Sequence, residues 1–220
     1  MYCLFSVAPP RIIIFDCDST LSAIEGIDEL ARLRGPEIYA QVEAQTTAAM
    51  EGKIAVEAVF GRRLAIIRPR RADVARVGQL YIEQVEPTAR VTIAALQQAG
   101  WTPLILSGGF RPVIAPLAAY LGIDRVEAVE LYFDPEGNYT GYEENFPTTR
   151  SGGKPACITA LKAELRPSRI VMVGDGVSDL ETTPVVDRFI GFGRYTIRSR
   201  VQAEAHSFIH SMAELPALLA

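Results

Sequence analysis

Three short runs in this 220-residue chain are apolar without alternation and stop on small or acidic residues: Ile12 to Phe15 ahead of Asp16, Thr102 to Ser107, and Arg169 to Asp175. A strand with one wet face alternates apolar and polar side chains, because successive residues point to opposite sides. Runs without alternation suit strands buried on both faces of a parallel sheet, with helices covering each side. Helix-patterned segments lie between them. "TARVTIAALQQAG" brings Val91, Ala94, Ala95 and Leu96 near helical spacing and ends on Gly100, and "KPACITALKAEL" precedes the third run in the same way. "RFIGFG" after Asp187 reads as a fourth strand and "AELPALLA" as a short closing helix. The alternation predicts an α/β fold: a doubly wound parallel sheet with a Rossmann-like core, and a ligand site outside the carboxyl ends of its strands.

From Ile24 to Val85 no run of β type appears. The segment reads as several helices punctuated by Gly35-Pro36, Gly52 and Pro69. A small all-helical insertion after the first strand predicts a cap, residues 22–84, over a core made of residues 1–21 and 85–220. Gly26 and Pro87 stand near the boundaries, where hinging would occur. "AVELYFDPEGNYTGYE" alternates around "DPEGN" and predicts a β-hairpin near residues 128–143.

Bulk properties narrow the partners. With 22 Lys plus Arg against 26 Asp plus Glu the net charge is -4, which argues against a general nucleic-acid binder and leaves a small anionic ligand open. Cys3, Cys17 and Cys157 are far apart and lack metal-ligand spacing, so neither a disulfide framework nor a zinc site is expected. No apolar run reaches the length of a membrane span, and "MYCLFSVAPPR" lacks the basic and apolar regions of a leader. The expectation is a cytoplasmic protein in a reducing compartment, a monomer or homodimer without nucleic-acid or membrane partners.

Four polar clusters fall at or near strand ends. Asp16 and Asp18 are two apart, so in an extended chain they converge on one point; equally, "DCDST" is ordinary turn and cap chemistry. "SGGF" offers the Ser107 hydroxyl and the amides of Gly108 and Gly109 at a helix start, suited to phosphate, or it is a simple turn. Lys154 in "SGGK" is a point charge for phosphate oxygens or a solvated surface lysine. In "GDGVSD", Asp175 suits a magnesium ligand and Asp179 could orient it, unless both belong to a capped helix start. Taken together the clusters are hard to dismiss, because this architecture sets its strand ends side by side. Four carboxylates with Ser107, Lys154 and exposed amides are what Mg²⁺-dependent phosphoryl transfer requires.

Those clusters resemble the haloacid dehalogenase superfamily of phosphotransferases. Within it, "DCDSTLSAIEGIDELA", "GRRLAIIRP", "SGGF", "SGGK", "GDGVSDLE" and "FIGFG" are similar, in order and spacing, to the phosphoserine phosphatase family. The resemblance implies a phosphomonoester hydrolase acting on O-phospho-L-serine. Asp16 would be the nucleophile that forms an aspartyl-phosphate, and Asp18 the acid and then the base. Mg²⁺ would be held by Asp16, the backbone carbonyl of Asp18, and Asp175, with Asp179 in support. Ser107, Gly108 and Lys154 would hold the phosphoryl group. A reference Asp is only about one part in a thousand protonated at pH 7, so Asp18 would need a raised pKa. Glu25 would meet the substrate ammonium and Arg63 its carboxylate, with Met50 as an apolar contact. Read alone, Glu25 is equally a helix N-terminal acid, and Arg63 one of a solvated group with Arg62, Arg68, Arg70 and Arg71. Two positions depart from the family. Val56 stands where Phe is usual, leaving more room, and Ser178 stands where relatives carry Asn or Thr. A phosphotransferase, or a phosphatase of another small metabolite, would use the same nucleophile and acid.

Overall fold

The computed structural model describes residues 8–51 and 53–219; Cys3, Gly52 and the side chain of Met50 lie outside that part. In chain order, β1 (Arg11–Phe15) is followed by four helices, α1 (Gly26–Arg32), α2 (Pro36–Met50), α3 (Val56–Ile67) and α4 (Arg71–Glu83). Then come α5 (Ala89–Gln98), β2 (Trp101–Phe110), α6 (Arg111–Leu121), β3 (Arg125–Val129) and the hairpin of β4 (Leu131–Phe133) and β5 (Tyr139–Tyr142). The chain closes with α7 (Gly153–Leu165), β6 (Arg169–Gly174), α8 (Val177–Leu180), β7 (Arg188–Phe192), α9 (Ser199–Glu204), β8 (Ser207–Ile209) and α10 (Leu215–Leu219).

Six strands form one sheet in the order β3-β2-β1-β6-β7-β8, and every pairing is parallel. The order reverses at β1: successive strands are added first on one side, then on the other. A crevice therefore opens at the carboxyl ends of β1 and β6, the place where such sheets take ligands. Asp16 and Asp175 are the residues just past those two ends. The register Phe15↔Val173, continued by the Asp16 amide donating to the Val173 carbonyl at 2.9 Å, keeps them abreast.

Ile12, Ile13, Ile14 and Phe15 are all fully buried, because β1 has core on both faces. Ile13 and Phe15 pack with Ile93 and Leu96 of α5 and Val113 and Leu117 of α6. Ile12 and Ile14 pack with Cys157, Ile158 and Leu161 of α7 and Val201 of α9. Each such side chain contributes about 1.5–3 kcal/mol on burial, so the end of β1 is firmly placed. The helices α1–α4 share the first of these cores through Leu30, Val42, Phe60, Leu64 and Val77. The two ends of that helical segment meet in a Ser22↔Val85 antiparallel bridge, with the Ala23 amide on the Gln84 carbonyl at 2.9 Å.

Several details differ from the sequence reading. β2 runs on to Phe110 and α6 begins at Arg111, so Gly108 and Gly109 close a strand instead of opening a helix. The hairpin starts at Leu131; Ala128 and Val129 belong to β3, an edge strand of the main sheet. β3 is hard to see because Arg125 and Glu127 interrupt it; as an edge strand it tolerates these charges, which pair with each other at 2.7 Å. β8 has only three residues and lacks a readable period. Among the described residues, no helix is long and apolar enough to cross a membrane.

Candidate active site

Past β1 the chain coils tightly. The Cys17 carbonyl accepts from the amides of Thr20, Leu21 and Ser22 at 3.3, 2.9 and 3.1 Å, and Ser19 takes a left-handed φ of 51°. Asp16, in the crevice, is buried, and the Lys154 ammonium lies 2.8 Å from its Oδ1. The same ammonium donates to Asp179 Oδ1 at 2.5 Å, while Asp179 Oδ2 accepts the Gly176 amide at 2.9 Å. Asp175 receives the Thr20 hydroxyl at 3.3 Å and Arg198 Nε at 3.1 Å. Carboxylate oxygens of Asp16, Asp175 and Asp179 lie within 4.8 Å of one another, all three residues buried.

The glycines ahead of Lys154 have separate causes. Gly152 sits at φ +72°, a conformation that favours glycine, and caps α7. Gly153 packs so closely that an added Cβ would lie 2.1 Å from the Pro147 carbonyl oxygen. Gly153→Ala is therefore expected to cost roughly 2–3 kcal/mol of stability by overpacking, read as a lowered denaturation midpoint. An unchanged midpoint would contradict this packing.

Asp18 is half-buried, and its two oxygens have different surroundings. Oδ1 accepts the Gly26 amide at 2.9 Å and the Tyr81 hydroxyl. Oδ2 faces Gly109, where an added Cβ would come within 3.0 Å of it. A Cβ at position 26 would lie 2.2 Å from the Tyr81 hydroxyl oxygen, so a larger residue there would displace that ring. Burial, and then the charge of Asp16, push the Asp18 carboxyl up to about 7 against these two hydrogen bonds. Asp175 rises to about 6 for the same two reasons, with Arg198 opposing. Asp179 is also raised by burial and Asp16. Burial works against the charge on Lys154, but Asp16 and Asp179 hold it protonated above its ordinary range. The buried acids at this strand end outnumber Lys154 and Arg198, and they present hard oxygen donors, a set that fits a divalent cation.

A cavity of about 390 Å³ joins these strand-end groups to the helical segment. Asp16, Asp18, Gly108, Lys154 and Ser178 line it on the core side, and Glu25, Val56, Phe60 and Arg63 on the other. Burial separates Arg63, 7% exposed, from Arg62, Arg68, Arg70 and Arg71, which are exposed. Its Nη1 donates to Thr46 Oγ1 at 3.0 Å. Burial lowers its pKa, against the pull of Asp28, Glu25 and Asp18. Glu25 sits at the N-cap of α1 without capping it; instead it accepts the Ser19 hydroxyl at 2.6 Å. Its pKa is raised by burial and by the charges of Asp18 and Asp175. Val56 opens α3, and one turn later Phe60 supplies an aromatic wall, 6.0 Å from Phe110 and 5.3 Å from Tyr142 between ring centres.

Ser107 lies behind the cavity wall, fully buried, its Oγ accepting the Gly109 amide at 2.9 Å. That amide is thus committed within the chain, where the sequence reading had it exposed. Asp175 and Asp179 stand behind Asp16 and Lys154 and do not themselves line the cavity. Met50 ends α2, and its side chain is outside the described part. Sequence reasoning missed Tyr81, Arg198, Thr46 and Phe60. Helical spacing of Val74, Val77 and Tyr81 signals burial of Tyr81 but not its partner, and Arg198 in "TIRSR" carries no readable signal.

The pattern of the haloacid dehalogenase-like hydrolases matches residues 13–183, a span that takes in the end of β1, the helical segment, β2, Lys154 and β6. A phosphoserine phosphatase of Bos taurus is 39% identical over 205 residues, covering 92% of this chain and 90% of that protein. One of Homo sapiens is 38% identical with the same coverage. A solved structure of a phospho-aspartyl intermediate analogue of phosphoserine phosphatase superimposes with a TM-score of 0.82 at 25% identity, over 96% of this chain and 99% of that one. The chain belongs to the haloacid dehalogenase-like hydrolases, in the phosphoserine phosphatase family.

Proposed function

We propose that this chain hydrolyses O-phospho-L-serine to L-serine and inorganic phosphate, with Mg²⁺ as its metal. The observation supporting this reading is that a single cavity joins Asp16 and Asp18 to Glu25 and Arg63. The first pair suits phosphoryl transfer; the second suits an amino acid's ammonium and carboxylate.

In this reading Asp16 attacks phosphorus in line, the bond from phosphorus to the serine oxygen breaks, and Asp18 gives its proton to the departing oxygen. Asp18 Oδ2 suits that task, because Oδ1 already accepts two hydrogen bonds. Asp18, now a carboxylate, takes a proton from water as the water oxygen attacks phosphorus. The bond from phosphorus to Asp16 breaks, phosphate leaves, and both acids return to their starting states. Lys154 and Gly108 hold phosphoryl oxygens from the cavity wall, and Ser107 supports them from behind it. Glu25 receives the ammonium and Arg63 the carboxylate, with Val56 along the carbon skeleton and Ser178 at the rim. Asp16, Asp175 and the Asp18 carbonyl would hold Mg²⁺, with Asp179 in support. When bound, the cation neutralises the phosphate that a carboxylate nucleophile would otherwise repel. Residues 22–84 serve as the cap that excludes water, on a core of residues 1–21 and 85–220.

Phosphate release across a phosphomonoester panel with Mg²⁺ tests the reading. Phosphoserine is expected to be turned over with the highest kcat/KM, and equal or better sugar phosphates would refute it. Arg63→Ala is expected to raise KM for phosphoserine roughly thirtyfold or more, the scale of losing one partner of a buried charged contact. An unchanged KM would remove Arg63 from the substrate site. Chelation with EDTA is expected to stop turnover, and Mg²⁺ at a hundred times its Kd to add about 2.7 kcal/mol of stability, seen as a raised thermal midpoint. Full activity in EDTA with no thermal shift would contradict the metal assignment.

A further inference from the structure

Arg63 is buried yet makes no ion pair with a carboxylate among the described residues. Its hydrogen bond there runs from Nη1 to Thr46 Oγ1 at 3.0 Å, and its buried Nε has no partner. On the far side of Thr46, Asp28 Oδ1 lies 2.7 Å from the same hydroxyl oxygen, and the Val42 carbonyl lies 3.1 Å away. The three side chains come from three helices: Asp28 from α1, Thr46 from α2 and Arg63 from α3. Thr46 and Asp28 are 3% and 8% exposed, so the relay is dry.

The direction of the relay follows from donor counts. A guanidinium only donates and a hydroxyl has a single proton, so Thr46 Oγ1 accepts from Arg63 and spends its proton elsewhere. The shorter acceptor, and the charged one, is Asp28. A carboxylate placed directly against Arg63 would occupy its fork and compete with any anionic ligand. A hydroxyl set between them keeps the acid at one remove, so that Arg63 is oriented but not saturated. Thr46 and Arg63 line the cavity and Asp28 does not. An acid in the first turn of a helix usually serves the helix end; Asp28 reaches out to α2 instead.

We infer that Thr46 and Asp28 are positioning residues that hold the Arg63 fork toward the cavity and leave its remaining donors for the carboxylate of the substrate. The inference rests on the phosphoserine reading above. If the relay only fills space, a side chain of equal shape without the hydroxyl serves as well, and this gives the test. The readout is the ratio of kcat/KM for O-phosphoserine to that for O-phosphoethanolamine, which keeps the phosphate and ammonium but lacks the carboxylate.

Thr46→Val is expected to lower this ratio about tenfold, through KM for phosphoserine, and Thr46→Ser to restore it to within about twofold of the starting value. Asp28→Asn, which keeps the volume and an acceptor but loses the charge, is expected to lower the ratio about threefold, and it carries the test if Thr46→Val fails to fold. Equal losses on both substrates, or no rescue by serine, would make the role structural and overturn the inference. An unchanged ratio in Thr46→Val and Asp28→Asn, with a large fall in Arg63→Ala, would overturn the inference and leave the phosphoserine reading standing. An unchanged ratio in Arg63→Ala itself would overturn the reading of Arg63, and the inference with it.

Discussion

Asp16→Asn is expected to leave a folded protein and to cut turnover of phosphoserine by at least about ten-thousandfold, the scale seen when an attacking side chain is lost. Asn has nearly the same shape but no carboxylate to attack phosphorus. Stability should not suffer, because Asp16 is a cause of strain in its surroundings: its charge helps raise the carboxyl groups of Asp18, Asp175 and Asp179. Lys154 keeps a partner in Asp179 at 2.5 Å. Without metal the variant should thus melt no lower than the parent, a case of stability held back for the sake of a reactive site. Substantial remaining activity, with rates within tenfold of the parent, would remove Asp16 from the role of nucleophile.

The second large effect belongs to Lys154. It is the cation set directly between Asp16 and Asp179, at 2.8 and 2.5 Å, and it is buried. Lys154→Met keeps most of the side-chain length and leaves the buried acids with one cation fewer. Breaking a buried ion pair on one side costs about 3–5 kcal/mol, so the denaturation midpoint should fall steeply. Turnover should drop about a thousandfold or more, since the variant loses a fixed charge aimed at the phosphoryl oxygens. Added Mg²⁺ should recover part of the stability and little of the rate. A variant as stable and as active as the parent would show that this lysine neutralises nothing that matters.

The strand ends were legible in the sequence because they rest on local facts. Ile12 to Phe15 fit a strand with two buried faces, and β1 is that strand, with Asp16 just past its end. Asp16, Asp175 and Asp179 come together at the strand ends, but Asp18 lies in a tight coil, not the extended chain that its spacing suggested. The helical wall was less legible. Nothing local separates Arg63 from Arg62; one is buried and the other exposed because α3 turns one face to the core, and only the packing of α1, α2 and α3 decides that Thr46 and Asp28 stand behind it. Val56 lines the cavity, and so does Phe60, one turn along the same helix, which packs against Phe110 and Tyr142 and carried no signal in the sequence. Tyr81 and Arg198 reach the site from 63 and 23 residues away from the acids they contact, a distance no motif spans.

The central claim is that phosphoserine passes its phosphoryl group through Asp16. It is tested most directly by mixing the enzyme with radiolabelled O-phosphoserine and Mg²⁺, quenching in acid within milliseconds, and locating protein-bound label by peptide mapping. The account predicts a transient label on Asp16 that decays as inorganic phosphate appears, and none in Asp16→Asn. Phosphate release without protein-bound label, or label that persists in Asp16→Asn, would contradict it.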